Sequence, residues 1–179
     1  MKLAHLAPLL GLCILVLSWT CGCTSAPDGG GGIQDITTEP TVERIGLEEA
    51  LRDLEVLDGE GLEDLTGMEI VTVSGSGVDS TGNATTWTLG VRQAENTSLM
   101  VHSQSGWSRY VWHGPLPDGR VEMEATVMPA ALYQGHADEI KGLGEVTDLT
   151  LIDGVYTIRS EEDQTRSLTF DAQGTEAAA

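Results

Sequence analysis

The sequence predicts an α+β fold, a mostly antiparallel sheet of about seven to eight strands with two helices packed on one face. Apolar residues recur at helical spacing in two stretches and alternate with polar residues in the segments that follow each of them. Gly-, Asp- and Ser-rich turns separate these segments. The order is helix, about five strands, helix, about three strands, and a sheet that buries one face needs helices to cover it.

The first helix is expected over 41–58. Leu47, Ala50, Leu51 and Leu54 form one apolar stripe, charged residues fill the other face, and Asp58-Gly59 is a stop signal. A β-rich run covers 68–74, and the Gly-, Ser- and Asp-dense stretch 74–83 turns the chain. Over 85–92, Trp87, Leu89 and Val91 share one face. Segments 98–103 and 107–113 form a hairpin about Gln104-Ser105-Gly106, and 115–119 is a further turn. The cleanest alternation is at 120–128, with Val121, Met123, Ala125 and Val127 on one side and Arg120, Glu122, Glu124 and Thr126 on the other. A strand with one buried and one wet face is expected there. Pro129 opens a second helix to about 143. Segments 146–152 and 155–159 flank Asp153-Gly154, a pair suited to a two-residue turn with positive φ. Leu168 and Phe170 mark a last strand, and 173–179 is expected to be a disordered tail.

Charge and cysteine usage exclude whole classes of function. With 28 acidic against 9 basic residues the net charge is −19. No nucleic acid is expected as a partner, because a phosphate binder needs a basic face. Adsorption to anionic lipid by charge is disfavoured for the same reason. The cysteines are Cys13, Cys21 and Cys23. A domain after them has no disulfide, thiolate metal site or cysteine nucleophile.

The N-terminus has the three parts of an export signal. Lys2 supplies a weakly basic start, residues 6–17 (LAPLLGLCILVL) an apolar run, and Thr20-Cys21-Gly22-Cys23 the small residues of a cleavage point. Gly22-Cys23 after an apolar run resembles the cleavage box of prokaryotic lipoproteins, in which the cysteine becomes the lipidated first residue. The resemblance covers residues 1–23 and implies lipidation at Cys23. Thr20 and Cys21 depart from the usual upstream pattern, which leaves Cys21 as the alternative. An uncleaved helix over 3–19 and simple secretion are the other readings. The organisation expected is a signal peptide at 1–22, a flexible Gly-rich tether at 23–40 and a single α+β domain at 41–172. Few lysines with many acids resemble archaeal proteins of halophilic or methanogenic type, and genomic base composition produces the same bias. The helix-on-meander layout resembles the PepSY class of small exported domains, from which no residues are carried over.

Chemistry is harder to find. Were His102 to face Trp107 across the hairpin, His113 would face Asn96, about 20 Å along the ladder, and the two could not share a metal. His136 stands alone. Glu122 and Glu124, on one side of a strand, could suit the paired carboxylates of glycoside chemistry, but the charged face of an amphipathic strand explains them without further assumption. Asp79, Ser80 and Asn83 offer oxygens to Ca²⁺ without the spacing of a calcium loop. There is no G-x-S-x-G, no H-E-x-x-H and no phosphate-cradling loop. No catalytic residue and no cofactor is assigned. Trp87, Trp107, Tyr110 and Trp112 belong either to the core or to a binding platform. Asn83 and Asn96 begin sequons in expected turns.

The function expected is a binding or interaction module anchored on the outer face of the cell membrane, its partner an envelope protein, a glycan or an apolar ligand. A carrier of an apolar ligand or lipid, and an envelope hydrolase, are the alternatives. Replacing Cys23 with Ser should release the protein from the membrane fraction, and intact mass should place a lipid on Cys23 of the unaltered chain. A variant that stays membrane-bound, beside an unaltered chain without lipid, would identify an uncleaved helix as the anchor.

Overall fold

The computed structural model describes residues 42–177. Helix α1 (Leu47–Gly59) precedes strands β1 (Met68–Val78), β2 (Thr86–Gln93), β3 (Asn96–Ser103) and β4 (Gly106–Val111). A single 3-10 turn (Met123–Ala125) and two short helices, α2 (Pro129–Gly135) and α3 (Ala137–Lys141), lead to β5 (Thr147–Ile152), β6 (Val155–Ser160) and β7 (Ser167–Asp171). The seven strands form one open antiparallel sheet in the order β4-β3-β2-β1-β5-β6-β7. The α+β class is as expected. The longest strand, β1, lies at the centre with a meander on each side.

Register shows which face is buried. Val73, Leu89, Met100, Leu151 and Tyr156 are consecutive cross-strand partners, as are Gly75, Trp87 and His102 one row along, and all belong to the covered face. Both helical segments lie on that face. Trp87 Nε1 donates to the Ile45 carbonyl just before α1 (2.9 Å), and Trp107 Nε1 to the Ala50 carbonyl within it (2.7 Å). From α2, the Tyr133 hydroxyl meets Thr147 Oγ1 at 2.6 Å, and that hydroxyl donates to the Val78 carbonyl. Leu47, Ala50 and Leu54 of α1 and Leu132, Tyr133 and Ile140 of α2 and α3 join a single core.

Trp87 fits because residue 75, its partner on β1, is glycine. A Cβ at position 75 would stand 2.5 Å from the indole ring. This also explains why the stretch 74–78, expected to be a turn, continues as strand to Val78. The missing side chain is space that β2 fills, and the irregularity is taken up by a bulge between Gly75 and Val78. The connection is confined to 79–85.

Other boundaries shift for local reasons. Helix α1 begins at Leu47 because Ile45 is held extended by a two-bond bridge to Ala84 (3.0 Å each way). The expected helix 129–143 breaks at His136, whose backbone leaves the helical region (φ −122°, ψ 31°). Residues 120–128 are not a strand. Val121 donates one bond to the Ile70 carbonyl, but from Thr72 onward that edge of β1 is taken by β5. The Glu122 carbonyl instead accepts from Ala125 N and Thr126 Oγ1, which curls the chain. Alternation supplied a strand pattern without a free edge to pair with. Residues 173–177, expected to fray, fold back on β7: Thr175 O accepts from Asp171 N, and Ala177 N donates to Thr169 O. Both expected hairpins form, with Ser103 opposite Gly106 and Ile152 opposite Val155. Asp153 (φ 50°) and Gly154 (φ 75°) adopt the positive φ of that turn.

Substituting Gly75→Ala should destabilise the domain by about 1–3 kcal/mol, the cost of overpacking a filled core. A urea-unfolding midpoint that does not move would show that Trp87 shifts freely.

Candidate functional site

The four aromatic candidates divide between the core and the surface. Trp87 is fully buried, so the platform reading is corrected for it: it is a core residue. Trp107 is half-buried, packed edge-on to the His102 ring at 5.2 Å and tied to α1. Tyr110 and Trp112 are 56% and 38% exposed, and Val111 between them is 73% exposed. Trp112 continues the β3–β4 ladder, its backbone N–H donating to Thr97 O (3.0 Å), and its indole N–H points to the Pro115 carbonyl (3.4 Å). The exposed aromatic residues therefore cluster at the far end of β4, on the outermost strand of one sheet edge.

The uncovered face next to them is patterned in rows. Thr169, Thr157, Thr150, Ser74, Thr88, Val101 and Ser108 are successive cross-strand partners from β7 to β4. The adjacent row runs Val155, Ile152, Thr72, Gly90, Leu99 and Tyr110. Segment 112–119 crosses this second row. Leu116 lies over Gly90, and the Arg92 guanidinium donates to the Pro117 (3.0 Å) and Asp118 (3.4 Å) carbonyls.

Charge is distributed unevenly along the chain. Of the 28 acidic residues only Glu95 falls within 80–117, the stretch that builds β2, β3 and β4. Arg92 and Arg109 lie in the same stretch. This half of the sheet is close to neutral in a chain of net charge −19. The gap was readable in the sequence, and total charge conceals it.

The histidines do not converge. His102 faces Trp107 as expected. It is buried against α1, with Nε2 3.6 Å from the half-exposed Asp53 carboxylate and Nδ1 without a hydrogen-bond partner among the described residues. Its surroundings form a cleft of about 350 Å³ that includes Arg44, Glu49, Thr85 and Ser103. Ser103 Oγ is engaged with Ser105 Oγ (3.0 Å), and none of the hydrogen bonds among the described residues joins a hydroxyl to the imidazole. His113 is exposed beyond β4. Spacing alone could not reveal the Asp53–His102 approach or the Glu63–Arg109 ion pair (3.2 Å), because both join α1 or its following loop to the sheet.

His136 has a structural position. Its Nδ1 lies 2.7 Å from Glu139 Oε2 and its Nε2 lies 2.7 Å from the Gly174 carbonyl, with the ring 4.4 Å from that of Phe170. Both partners are acceptors, so the arrangement is complete when both nitrogens carry protons. Desolvation of the ring lowers its pKa. The hydrogen bonds to Glu139 and Gly174 and the charges of Glu139 and Glu176 raise it by more, and the net shift is upward.

The remaining candidates are explained locally. Glu122 pairs with Arg120 and shares no strand with Glu124, which corrects the paired-carboxylate reading. Asp79 Oδ1 accepts from Thr81 N (2.9 Å), Thr81 Oγ1 (2.6 Å) and Asn83 N (3.2 Å), a turn closed on itself. Asn83 is half-buried and Asn96 exposed. A cleft of about 550 Å³ between α3 and this turn mixes Tyr133, Ile140 and Thr147 with Asp79, Asp138, Lys141 and Glu145. Cys21 and Cys23 lie outside the described residues. No family model, no curated protein and no solved structure matches the chain.

The raised pKa of His136 has a defined sign. Its folded value exceeds the unfolded one, so its contribution is fully present below the unfolded value and is lost as pH rises through the folded value. The melting temperature lost in His136→Gln should be larger at pH 5.5 than at pH 8.5, working values that bracket the ordinary histidine range of about 6.5. A loss that is the same at both would remove the charged-ring account.

Proposed function

We propose that this protein is a binding module held at the outer face of the cell membrane by lipid on Cys23, and that its ligand docks on the exposed aromatic end of the sheet. One observation carries the reading. Tyr110 and Trp112 remain exposed together on one face of an edge strand, with Val111 exposed on the other face between them, in a stretch (80–117) whose only acidic residue is Glu95. Clustered exposed aromatic and apolar residues mark interaction sites, whereas scattered ones do not. Tyrosine and tryptophan also give large contact area for little conformational cost. Membrane attachment rests on Gly22-Cys23 after its apolar run and on the Gly-rich stretch that follows. A tether of that kind holds a domain clear of the bilayer. The partner is an envelope protein or glycan presenting a surface without strong negative charge.

The two alternatives have less behind them. The larger cleft is ringed by Asp79, Asp138, Lys141 and Glu145, which suits an acyl chain poorly. The Asp53–His102 pair has a general-base geometry in outline, but it lacks a hydroxyl at the ring.

The test is a binding measurement with the full-length protein against envelope protein and glycan fractions, comparing the unaltered chain with a Tyr110→Ala/Trp112→Ala double variant. Anchor residues of an interface are worth about 2 kcal/mol or more, so Kd should rise roughly 30-fold. The unfolding midpoint should move little for Tyr110, which is 56% exposed, and somewhat more for Trp112, which is 38% exposed and packs on Gly114. Unchanged affinity in the double variant would place the binding surface elsewhere.

A further inference from the structure

The two edges of the sheet are finished differently. The outer edge of β7 is partly covered, since 173–177 folds back and bonds to Thr169 and Asp171. Among the described residues no segment pairs with the outer edge of β4. Of the usual guards that strand has only its shortness and one charge, Arg109, which Glu63 balances (3.2 Å). It has no Pro and no Lys, and its register with β3 runs without a bulge from Ser98–Val111 to Ser103–Gly106.

Which backbone groups are free follows from the ladder. Trp112 N donates inward to Thr97, and antiparallel pairing alternates, so Tyr110, Ser108 and Gly106 also turn inward. Trp107, Arg109 and Val111 therefore direct both N–H and C=O outward. Their side chains lie on the helix face, where Arg109 meets Glu63 and where Asp53 stands beside His102, the partner of Trp107. On the other face the edge presents Ser108, Tyr110 and Trp112.

We infer that the outer edge of β4 takes an extended peptide as an eighth antiparallel strand, one with Lys or Arg at alternate positions, apolar residues between them and no acidic residue. This rests on the reading of that end of the sheet as the binding surface, and it adds the mode and the chemistry of the partner. Backbone pairing with Trp107, Arg109 and Val111 supplies affinity, as in strand addition generally. Residues opposite those three fall on the helix face, where Glu63 is already paired with Arg109 (3.2 Å) and Asp53 stands at His102 on β3, so the preference for cations comes from the chain's net charge of −19. The intervening residues lie beside Tyr110 and Ser108, which selects apolar side chains. The acidic remainder of the chain repels a segment carrying Asp or Glu and favours fast encounter with a basic one. The same negative charge opposes a second copy of this chain on that edge.

The probe is the peptide acetyl-KVKIKVK-amide, added to the full-length protein and followed by amide hydrogen exchange. Two controls are the scrambled KKVIVKK and a version of the first peptide N-methylated at the lysine backbone nitrogens. Exchange at Trp107, Arg109 and Val111 should slow at least roughly tenfold with the alternating peptide alone. Val111→Pro removes one outward donor and leaves the inner ladder intact, as an edge strand allows. It should weaken binding roughly tenfold, the effect of 1.4 kcal/mol, with the unfolding midpoint unchanged. Equal binding of the scrambled peptide reduces the effect to net charge and overturns the inference. Equal binding of the N-methylated peptide also overturns it, and if Tyr110→Ala/Trp112→Ala then abolishes binding, the surface stands while the strand mode falls. Protection of the three amides without peptide overturns it as well. Concentration-dependent protection would assign the edge to a second copy, and concentration-independent protection to the chain's own residues 24–40. No binding by any of the peptides removes the inference outright.

Discussion

The indole of Trp87 occupies the space that a side chain at position 75 would need, and the first half of the domain is assembled around that exchange. The ring lies against the central strand at Gly75, and its N–H holds the Ile45 carbonyl. Ile45 in turn bridges to Ala84 at the start of β2, so one side chain connects the sheet centre, the approach to α1 and the β1–β2 connection. Trp107 repeats the device one turn into α1 by donating to the Ala50 carbonyl. Without these two donors the helix would rest on the sheet mainly through apolar contacts of Leu47, Ala50, Leu51, Leu54 and Leu57, which fix depth better than direction. Dispersion and burial carry the energy, and the two directional bonds set where the helix lies.

Because two tryptophans are used this way, the exposed pair is distinguishable from them. Alternation assigned Trp87 to an inward face, and the structure agrees. For β4 it could not decide, since an edge strand has one neighbour and its side chains are half-covered at best. Trp107 lies on the face that α1 covers, and Tyr110 and Trp112 lie on the uncovered one. Alternation separates them, and which of the two faces is covered is a tertiary fact with no local signal.

Much of the fold was legible for a plain reason: hairpins are local. The Asp153-Gly154 turn and the Gln104-Ser105 turn fixed two registers, including the placing of His102 opposite Trp107. The errors share a cause too. Residues 120–128 had the best strand pattern and no vacant edge beside them, residues 74–78 looked like a turn because glycine was read as a breaker, and 173–177 looked polar enough to fray although β7 had an edge to offer. Each depended on what another part of the chain had left open. At the candidate surface the sequence held a clearer signal than residue type, the long interval between Asp79 and Asp118 with Glu95 as its only acid. Counting charges over the whole chain averaged it away.

The crossing of segment 112–119 over the uncovered face limits the architectures this sheet can join. Facing sheets pack about 10 Å apart, and Leu116 over Gly90 with the Arg92 clamp on Pro117 and Asp118 already stands in that space. Further along, the face is a row of threonine and serine hydroxyls, which a dry second layer would leave unsatisfied. Dry stacking of a second sheet on this face is disfavoured on both counts, which leaves the plane of the strands as the direction in which this sheet can be extended.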